Sequence, residues 1–441
     1  MIMFYSWKIY LIFCLLFSSF YLCFSGSSSA HGTIQDLIDQ AEHGEEIILP
    51  EGIYEEVITI TKSLKIIGEG AIIKNTADKV AIHIQSDEVS LTGLTVFQLN
   101  KQTEHPAILI EGTDNTLSNL KISSQSTGVQ LNNSIRNTIE GLHIEREQPL
   151  DLAQTNMGNR QGNGIDLFFS NENVLKGNTM VNQLDGIYVE SSSGNIIENN
   201  HVIRSRYGYH LMFAESTTMQ NNYASLNITG AMIMGSSNLT ITNNTFTRQS
   251  YHVHSQGLLL YDVHDSTVSK NFLSENLIGL YIERSSQNFI QENQISANFV
   301  GIQLKRVSNH DIFHNDFNTN VIQARVTDSD MNDVRENYWD SHTGLDFTGD
   351  GKSEIQFQSD PIFLSLVERK PSFQVLAQSP GLLFLNLLFD MNEEAILKDT
   401  APLLKPNLET VMDDKKSFED LFIYLGLMLG SVAIILGGRR K

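Results

Sequence analysis

Residues 164–185 read GIDLFFSNENVLKGNTMVNQLD, and the segments 186–207 and 208–229 repeat this pattern at the same length. Each copy opens with a glycine and carries an asparagine at a fixed later position. The opening glycines recur at steps of 22, 22, 22, 27, 22 and 22 residues, at Gly164, Gly186, Gly208, Gly230, Gly257, Gly279 and Gly301. A fixed period of about 20 to 50 residues indicates a repeat architecture.

Within each repeat, apolar and polar residues alternate over short runs, as at 187–190 and 280–283. A period of two is typical of β-strands, and the Asn, Ser and Gly between the runs favour turns. One repeat is too short to bury an apolar face alone, whereas stacked copies can. We therefore predict an all-β fold, a right-handed parallel β-helix with coils of about 22 residues and strands about 4.8 Å apart.

The alternation predicts which side chains point inward. The first and third positions after each glycine should face the core, and the second and fourth should face outward. The inward set is Ile187, Val189, Leu211, Ile233, Leu258, Leu260, Leu280, Ile282, Ile302 and Leu304. The repeated asparagines should stabilise turns because Asn bonds readily to neighbouring backbone. They are Asn178, Asn200, Asn222, Asn244, Asn271, Asn293, Asn315 and Asn337.

Composition outside the repeats predicts the domain organisation. We expect a signal peptide at 1–30, because a long apolar run there ends in small residues. The parallel β-helix should span 31–360, with a short amphipathic helix at 33–43 capping its first coil. An apolar docking segment at 361–391 and a charged tether at 392–419 follow. The uncharged stretch at 421–438 and the basic end at 439–441 predict a transmembrane helix at 420–438 with a cytoplasmic C-terminus. This helix would anchor an extracytoplasmic β-helix in the cytoplasmic membrane.

Charge and composition exclude some functions. The formal net charge of -21 argues against nucleic acid as a partner. Both cysteines, Cys14 and Cys23, lie in the predicted signal peptide, so the remaining chain has no thiolate ligand. Asp346 and Asp350 partly resemble a calcium loop, but Phe357 stands where a bidentate Glu is wanted, so a capping turn is favoured over a calcium site.

One group of outward positions can bind a soft metal. Stacking of the coils should bring His210 beside Met232 and Met212 beside Met234. An imidazole with thioethers suits Cu(I) better than a hard ion. The five-residue insertion before Gly257 adds His252 and His254, and the insertion of about fourteen residues before Gly164 adds Met157.

A competing interpretation makes these methionines an apolar outer patch, because Met fills irregular gaps well. The remaining histidines are interpreted as single surface residues, at His201, His264, His310 and His314. The carboxylates of these coils are expected to be dispersed, with no pair at adjacent outward positions; they are Asp166, Asp185, Glu190 and Glu283.

Several segments resemble the NosD family, the copper-binding β-helix accessory proteins of nitrous-oxide reductase maturation. The resemblance rests on RYGYHLMFAESTTMQNN, GAMIMGSSNLTITNN and GLLLYDVHDS in the repeats, and on NYWDSHTGLDFTGDGKSEI and ERKPSFQVLAQSPGLLFL beyond them. It implies a non-enzymatic accessory role in assembling a copper or sulfur centre. The implied partners are an ABC transporter with permease and ATPase subunits, a copper chaperone and the apo-reductase.

A polysaccharide-binding or polysaccharide-cleaving β-helix is the alternative. The phrase ITKSLKIIGEG, at residues 60–70, resembles β-helix lyases and hydrolases. Such enzymes need grouped acids on one outer sheet. Because the acids are expected to be dispersed, the sequence favours the accessory protein.

Overall fold

The computed structural model describes residues 33–100, 104–146, 162–249, 252, 255–359 and 396–407. Several predicted features lie outside these residues: the signal peptide 1–30, the docking segment 361–391, the transmembrane helix 420–438, the basic end 439–441, Met157 and His254. Within the described part of the chain, no helix is long and apolar enough to cross a membrane.

A short helix, α1 (Ile34–Gln40), precedes the first coil and confirms the predicted cap. A capping box starts it: the Thr33 hydroxyl accepts from the Asp36 N–H at 3.0 Å, and the Asp36 carboxylate accepts from the Thr33 N–H at 3.1 Å. Gln35 exchanges two hydrogen bonds with the backbone of Thr59. The helix therefore covers strand groups that would otherwise form an open edge.

Three parallel sheets run the length of the molecule, and each coil contributes one strand to each sheet. Sheet 1 consists of β1 (Glu46–Ile48), β4 (Lys65–Ile67), β7 (Ser90–Thr92), β10 (Thr116–Ser118), β13 (Thr138–Glu140), β16 (Val174–Lys176), β19 (Ile196–Glu198), β22 (Thr218–Gln220), β25 (Thr240–Thr242), β28 (Thr267–Ser269), β31 (Phe289–Gln291), β34 (Asp311–Phe313) and β37 (Asp333–Arg335).

Sheet 2 consists of β2 (Gly52–Tyr54), β5 (Ala71–Asn75), β8 (Thr95–Gln98), β11 (Lys121–Ser124), β14 (His143–Glu145), β17 (Thr179–Val181), β20 (His201–Ile203), β23 (Tyr223–Ser225), β26 (Thr245–Thr247), β29 (Phe272–Ser274), β32 (Gln294–Ser296), β35 (Asp316–Asn318) and β38 (Tyr338–Trp339).

Sheet 3 consists of β3 (Ile58–Ile60), β6 (Ile82–Ile84), β9 (Ile108–Ile110), β12 (Val129–Asn132), β15 (Ile165–Phe168), β18 (Asp185–Glu190), β21 (Tyr207–Met212), β24 (Thr229–Met234), β27 (Gln256–Tyr261), β30 (Ile278–Glu283), β33 (Val300–Lys305) and β36 (Ile322–Thr327). A separate antiparallel pair joins β39 (Phe357–Gln358) to β40 (Lys398–Asp399). The predicted parallel β-helix is thereby confirmed, and its handedness stays a prediction.

The opening glycines are required by the close approach of successive coils. A Cβ atom added to Gly186 would lie 2.5 Å from the carbonyl oxygen of Gly208, and one added to Gly208 would lie 2.4 Å from that of Gly230. Real Cβ atoms do not approach so closely, so a larger residue would force the coils apart. The inward positions are confirmed as well, because all ten predicted core residues are at most 1% exposed.

The asparagines form ladders inside the turns. Asn178 donates its backbone N–H and its side-chain amide to the Asn200 oxygen of the next coil, both at 3.0 Å. The same contacts recur down to Asn337, so the structural role predicted for these residues is confirmed. The ladder satisfies the buried backbone of a turn that no strand can pair.

The C-terminal described segment closes the last coil. Asp399 is fully buried, and its carboxylate accepts from the Asn337 N–H, the Asn337 side-chain amide and the Trp339 indole, each at 3.0 Å. Trp339 stacks between Phe317 and Phe357, with ring centroids 4.0 and 4.1 Å away. Residues 396–407 were expected within the tether; instead, they pack here because the last ladder asparagine and the indole need an acceptor.

His310 corrects a sequence-based interpretation, because it is fully buried rather than on the surface. It occupies a ladder position between two asparagines. Its ring Nδ1 accepts from the backbone N–H of Asn288 at 3.1 Å, and its backbone N–H donates to the side-chain oxygen of Asn332 at 3.0 Å. Burial lowers the pKa of His310 to about 4, so the imidazole is neutral in the folded chain.

We predict that Asp399→Ala destabilises the C-terminal coils. Three buried donors lose their acceptor, and a buried unsatisfied donor costs about 1–3 kcal/mol. Asp399→Asn should be milder, because it restores the residue type of the ladder. Hydrogen exchange should show lost protection at residues 337–339 and unchanged protection in β12. Equal protection in both variants and the wild type would contradict this role.

We predict that His310→Asn removes part of the acid sensitivity of the fold. The unfolded chain protonates His310 near pH 6.5, whereas the folded chain does so only near pH 4. The resulting stability is present above pH 6.5 and is lost as the pH falls towards 4, by at most about 3 kcal/mol. Urea unfolding at pH 4.5 and 7.5 should therefore show a smaller difference in the variant. A difference as large as that of the wild type would refute the assignment.

Candidate metal centre

Four predicted ligands lie on the outer side of sheet 3, on the neighbouring strands β21 and β24. The register pairs His210 with Met232 and Met212 with Met234, as expected from the repeat. We call these four residues the imidazole–thioether cluster. The strand before it places Tyr188 beside His210 and Glu190 beside Met212, and the strand after it places Leu259 beside Met232.

His210 is held from several sides. Its Nδ1 lies 2.9 Å from an Asp185 carboxylate oxygen, and both side chains are nearly inaccessible to solvent. The rings of Tyr188 and Tyr207 meet the imidazole edge to face, at centroid distances of 4.9 and 5.0 Å. The other ring nitrogen, Nε2, is buried and has no hydrogen-bond partner among the described residues.

Arg206 completes this arrangement. Its Nε and Nη2 donate to the two Asp185 oxygens at 2.9 and 2.7 Å, which is a buried bidentate ion pair. Burial acts to raise the pKa of Asp185, but the hydrogen bonds from His210 and Arg206 outweigh it and lower that pKa. Asp185 is therefore ionised and accepts a hydrogen bond from His210 Nδ1.

Tyr188 connects the imidazole to a thioether. Its hydroxyl lies 2.5 Å from a Glu190 carboxylate oxygen and 3.4 Å from the Met212 sulfur. The three methionines of the cluster are half-buried. Their sulfur atoms therefore border a site that solvent reaches only in part.

The outward carboxylates are less dispersed than the sequence suggested. Asp166 lies beside Tyr188 in the register, and its charge interacts with those of Asp185 and Glu190. Burial is the main cause that raises the pKa of Asp166 to about 7, although Asn163 and Thr127 donate hydrogen bonds to it. The expectation of scattered acids is wrong here, because stacking collects residues that are 19 to 24 positions apart.

Of the other predicted ligands, His252 is among the described residues. His252 occupies the turn that leads into β27, one coil beyond Met232, and its N–H donates to the Ser255 hydroxyl at 3.0 Å. Both insertions fall between sheet 2 and sheet 3, because they lie between β14 and β15 and between β26 and β27. The Asp346 carboxylate accepts from the N–H groups of Gly349 and Gly351, at 2.5 and 2.9 Å, as expected for the capping turn.

Sequence reasoning missed Asp185, Arg206 and Tyr207 as members of the site. The alternation was counted from each glycine, whereas the strands of sheet 3 begin one residue earlier, at Asp185 and Tyr207. A signal was present: acidic Asp185 and basic Arg206 are 21 residues apart, so successive coils place them almost at the same corner.

The chemistry of the donor set fits a soft monovalent ion. An imidazole nitrogen and thioether sulfurs are ligands that Cu(I) accepts readily, and His210 Nε2 has no hydrogen-bond partner within the described part of the chain. A site of at least three His, Cys, Asp or Glu side chains is absent from the described residues. His210, Met212, Met232 and Met234 are residues whose nitrogen and sulfur atoms could bind a Cu(I) ion.

Fold and site together define the class of protein, a parallel β-helix with an imidazole–thioether cluster on one outer sheet. Residues 150–351 match the family model described as "Periplasmic copper-binding protein (NosD)". This match to residues 150–351 confirms the resemblance seen in the sequence. No curated protein matches the chain by sequence.

Solved structures resemble this chain at low sequence identity. The A-module of the mannuronan C-5 epimerase AlgE6 from Azotobacter vinelandii is 15% identical, with a TM-score of 0.50 and coverage of 69% of this chain and 87% of that module. A family 28 exopolygalacturonase from Yersinia enterocolitica is 11% identical, with a TM-score of 0.48 and coverage of 69% of this chain and 75% of that enzyme. At these identities the likeness concerns the fold alone.

We predict that Asp166→Asn stabilises the chain at pH 8 and not at pH 4. The folded chain protonates Asp166 near pH 7 and the unfolded chain near pH 3.8, so stability declines as the pH rises between these values. The decline is at most about 4 kcal/mol. Chemical unfolding at both pH values measures it, with exposed Asp262→Asn as the control. Equal effects of the two variants at pH 8 would contradict the prediction.

Proposed function

We propose that this chain is an extracytoplasmic copper-binding accessory protein. It assists, together with an ATP-driven membrane transporter, the assembly of the copper and sulfur centre of nitrous-oxide reductase. The proposal rests on the NosD-family match and on one observation: the unpartnered, buried Nε2 of His210 lies in register with a thioether. A buried nitrogen without a partner is costly unless a ligand uses its lone pair.

The principal copper ligands would be His210, Met212, Met232 and Met234. His252 and His254 belong to the insertion that enters the next coil and would add imidazoles at the edge of the same sheet. Thioethers bind weakly enough to release an ion to a partner, which suits delivery rather than storage. A copper chaperone as donor and the apo-reductase as acceptor are the exchange partners that this role requires.

A polysaccharide lyase or hydrolase is the second candidate. The grouping of Asp166, Asp185, Tyr188 and His210 favours it more than the sequence did. Two observations weigh against it: both aspartates are almost completely buried, and Arg206 is paired with Asp185 rather than open to a substrate carboxylate. Release of unsaturated products from uronate oligosaccharides would decide for this alternative.

The test is an anaerobic Cu(I) titration of the full chain against a competing chelator. We expect binding by the wild type and a loss of at least about 100-fold in affinity for the variant with alanine at 210, 212, 232 and 234, because it lacks the nitrogen and all three sulfurs. Thermal unfolding of the quadruple variant is measured beside the titration, because the loss of His210 removes a buried hydrogen bond to Asp185.

The matched control replaces an imidazole and a thioether on other parts of the surface, by His201→Ala with Met331→Ala. This double variant should bind copper as the wild type does. Equal affinity of the quadruple variant and the wild type would refute the site. Absence of Cu(I) binding by the wild type would refute the proposed function.

A further inference from the structure

The carboxylate of Asp185 is unusual for its place in the fold. Asp185 stands at the first position of β18, and six later strands of sheet 3 supply its equivalents in register. None of these equivalents is charged: they are Tyr207, Thr229, Gln256, Ile278, Val300 and Ile322. An acid is therefore not a requirement of the coil, and the coil that carries it is the one beside His210.

The ion pair that Asp185 forms is poorly explained by stability. Its side chain is 1% exposed, and that of Arg206 is 7% exposed. Removing two charges from water offsets most of their mutual attraction, and apolar residues often replace such a pair without loss. The neighbouring coils use Thr229 and Gln256 at the same position and still stack. The pair thus needs another explanation than the fold.

The hydrogen bonds of the Asp185 carboxylate supply that other explanation. The carboxylate oxygen Oδ2 receives both the Arg206 Nη2 at 2.7 Å and the His210 Nδ1 at 2.9 Å, and Oδ1 receives the Arg206 Nε. Arg206 therefore fixes the plane of the carboxylate, and the carboxylate fixes the proton of His210 on Nδ1. The edge-to-face contacts of Tyr188 and Tyr207 restrict rotation of the imidazole.

We infer that Asp185 is the positioning residue of the copper site and that Arg206 holds it in place. The inference rests on the proposed function. Asp185 keeps the Nε2 lone pair of His210 unprotonated and directed away from the carboxylate, ready for the metal. It is not itself a ligand, because its oxygens are occupied by Arg206 and His210. A carboxylate behind a metal-binding histidine commonly contributes about 10- to 100-fold to affinity.

The experiment combines nitrogen-15 NMR of the histidine-labelled apo chain with anaerobic Cu(I) titration. The His210 resonances are assigned by their loss in His210→Gln. In the wild type at pH 8 we expect a protonated Nδ1 and an unprotonated Nε2. Asp185→Asn should mix the two tautomers and weaken Cu(I) binding about 10- to 100-fold.

Two further variants control this result. Asp185→Asn combined with Arg206→Met removes both charges, so it tests positioning without leaving an uncompensated buried cation. It should show the same mixed tautomers and weakened binding. Asp262→Asn removes a carboxylate that contacts the His264 ring at the surface, 3.2 Å away, and should leave both His210 and copper affinity unchanged.

The outcomes separate positioning from copper binding. An Nε2-protonated His210 in the wild type, or unchanged tautomer and affinity in both Asp185 variants, would overturn the inference. Lost affinity with an unchanged tautomer would also overturn it and would make Asp185 a ligand. A wild type that binds no Cu(I), but whose tautomer depends on Asp185, would refute the proposed function and leave the positioning of His210 supported.

Discussion

Hydrogen bonding between one coil and the next is the interaction on which this molecule depends. No coil has a sheet of its own, because every strand of the three parallel sheets finds its partners only in neighbouring coils. The strands satisfy the backbone along the three faces, and the asparagine side chains satisfy it in the turns, where Asn200 and its equivalents accept from the preceding coil. Stability is therefore a sum of similar contacts between neighbours rather than the property of one centre.

The same stacking creates the candidate site. Residues 22 positions apart become neighbours on one outer sheet, so His210 meets Met232, and Met212 meets Met234, without any loop to bring them together. A sheet with fixed spacing is a rigid support for ligands. The buried Asp185–Arg206 pair is a charged exception among these regular coils. Buried charged exceptions of this kind mark function more often than packing.

The regular part of the structure was predictable from sequence, and the exceptions were not. The period alone determines the inward position of Ile187 and the register of His210 with Met232, because a repeated coil leaves no other arrangement. His310 was misjudged because a histidine can replace an asparagine in a ladder when its Nδ1 accepts the same hydrogen bond.

Asp185 and Arg206 were missed for a related reason. A two-residue alternation counted from the glycine gives no position to the residues before it. Their partnership also depends on the path of the chain at a corner, which periodicity does not describe. The grouping of Asp166 with its acidic neighbours was missed because side chains reach across coils to residues that are not their partners in the strand register.

The pairing of β39 with β40 has a consequence for geometry at larger scale. These strands meet antiparallel at the last coil, so Ser359 and Leu397 lie side by side there. Five strand spacings of about 4.8 Å separate β21 from β36, the last strand of sheet 3, or roughly 24 Å. The stacked coils therefore hold the last coil at a fixed distance from His210. A partner bound at the last coil would have to extend over that distance to reach the imidazole–thioether cluster.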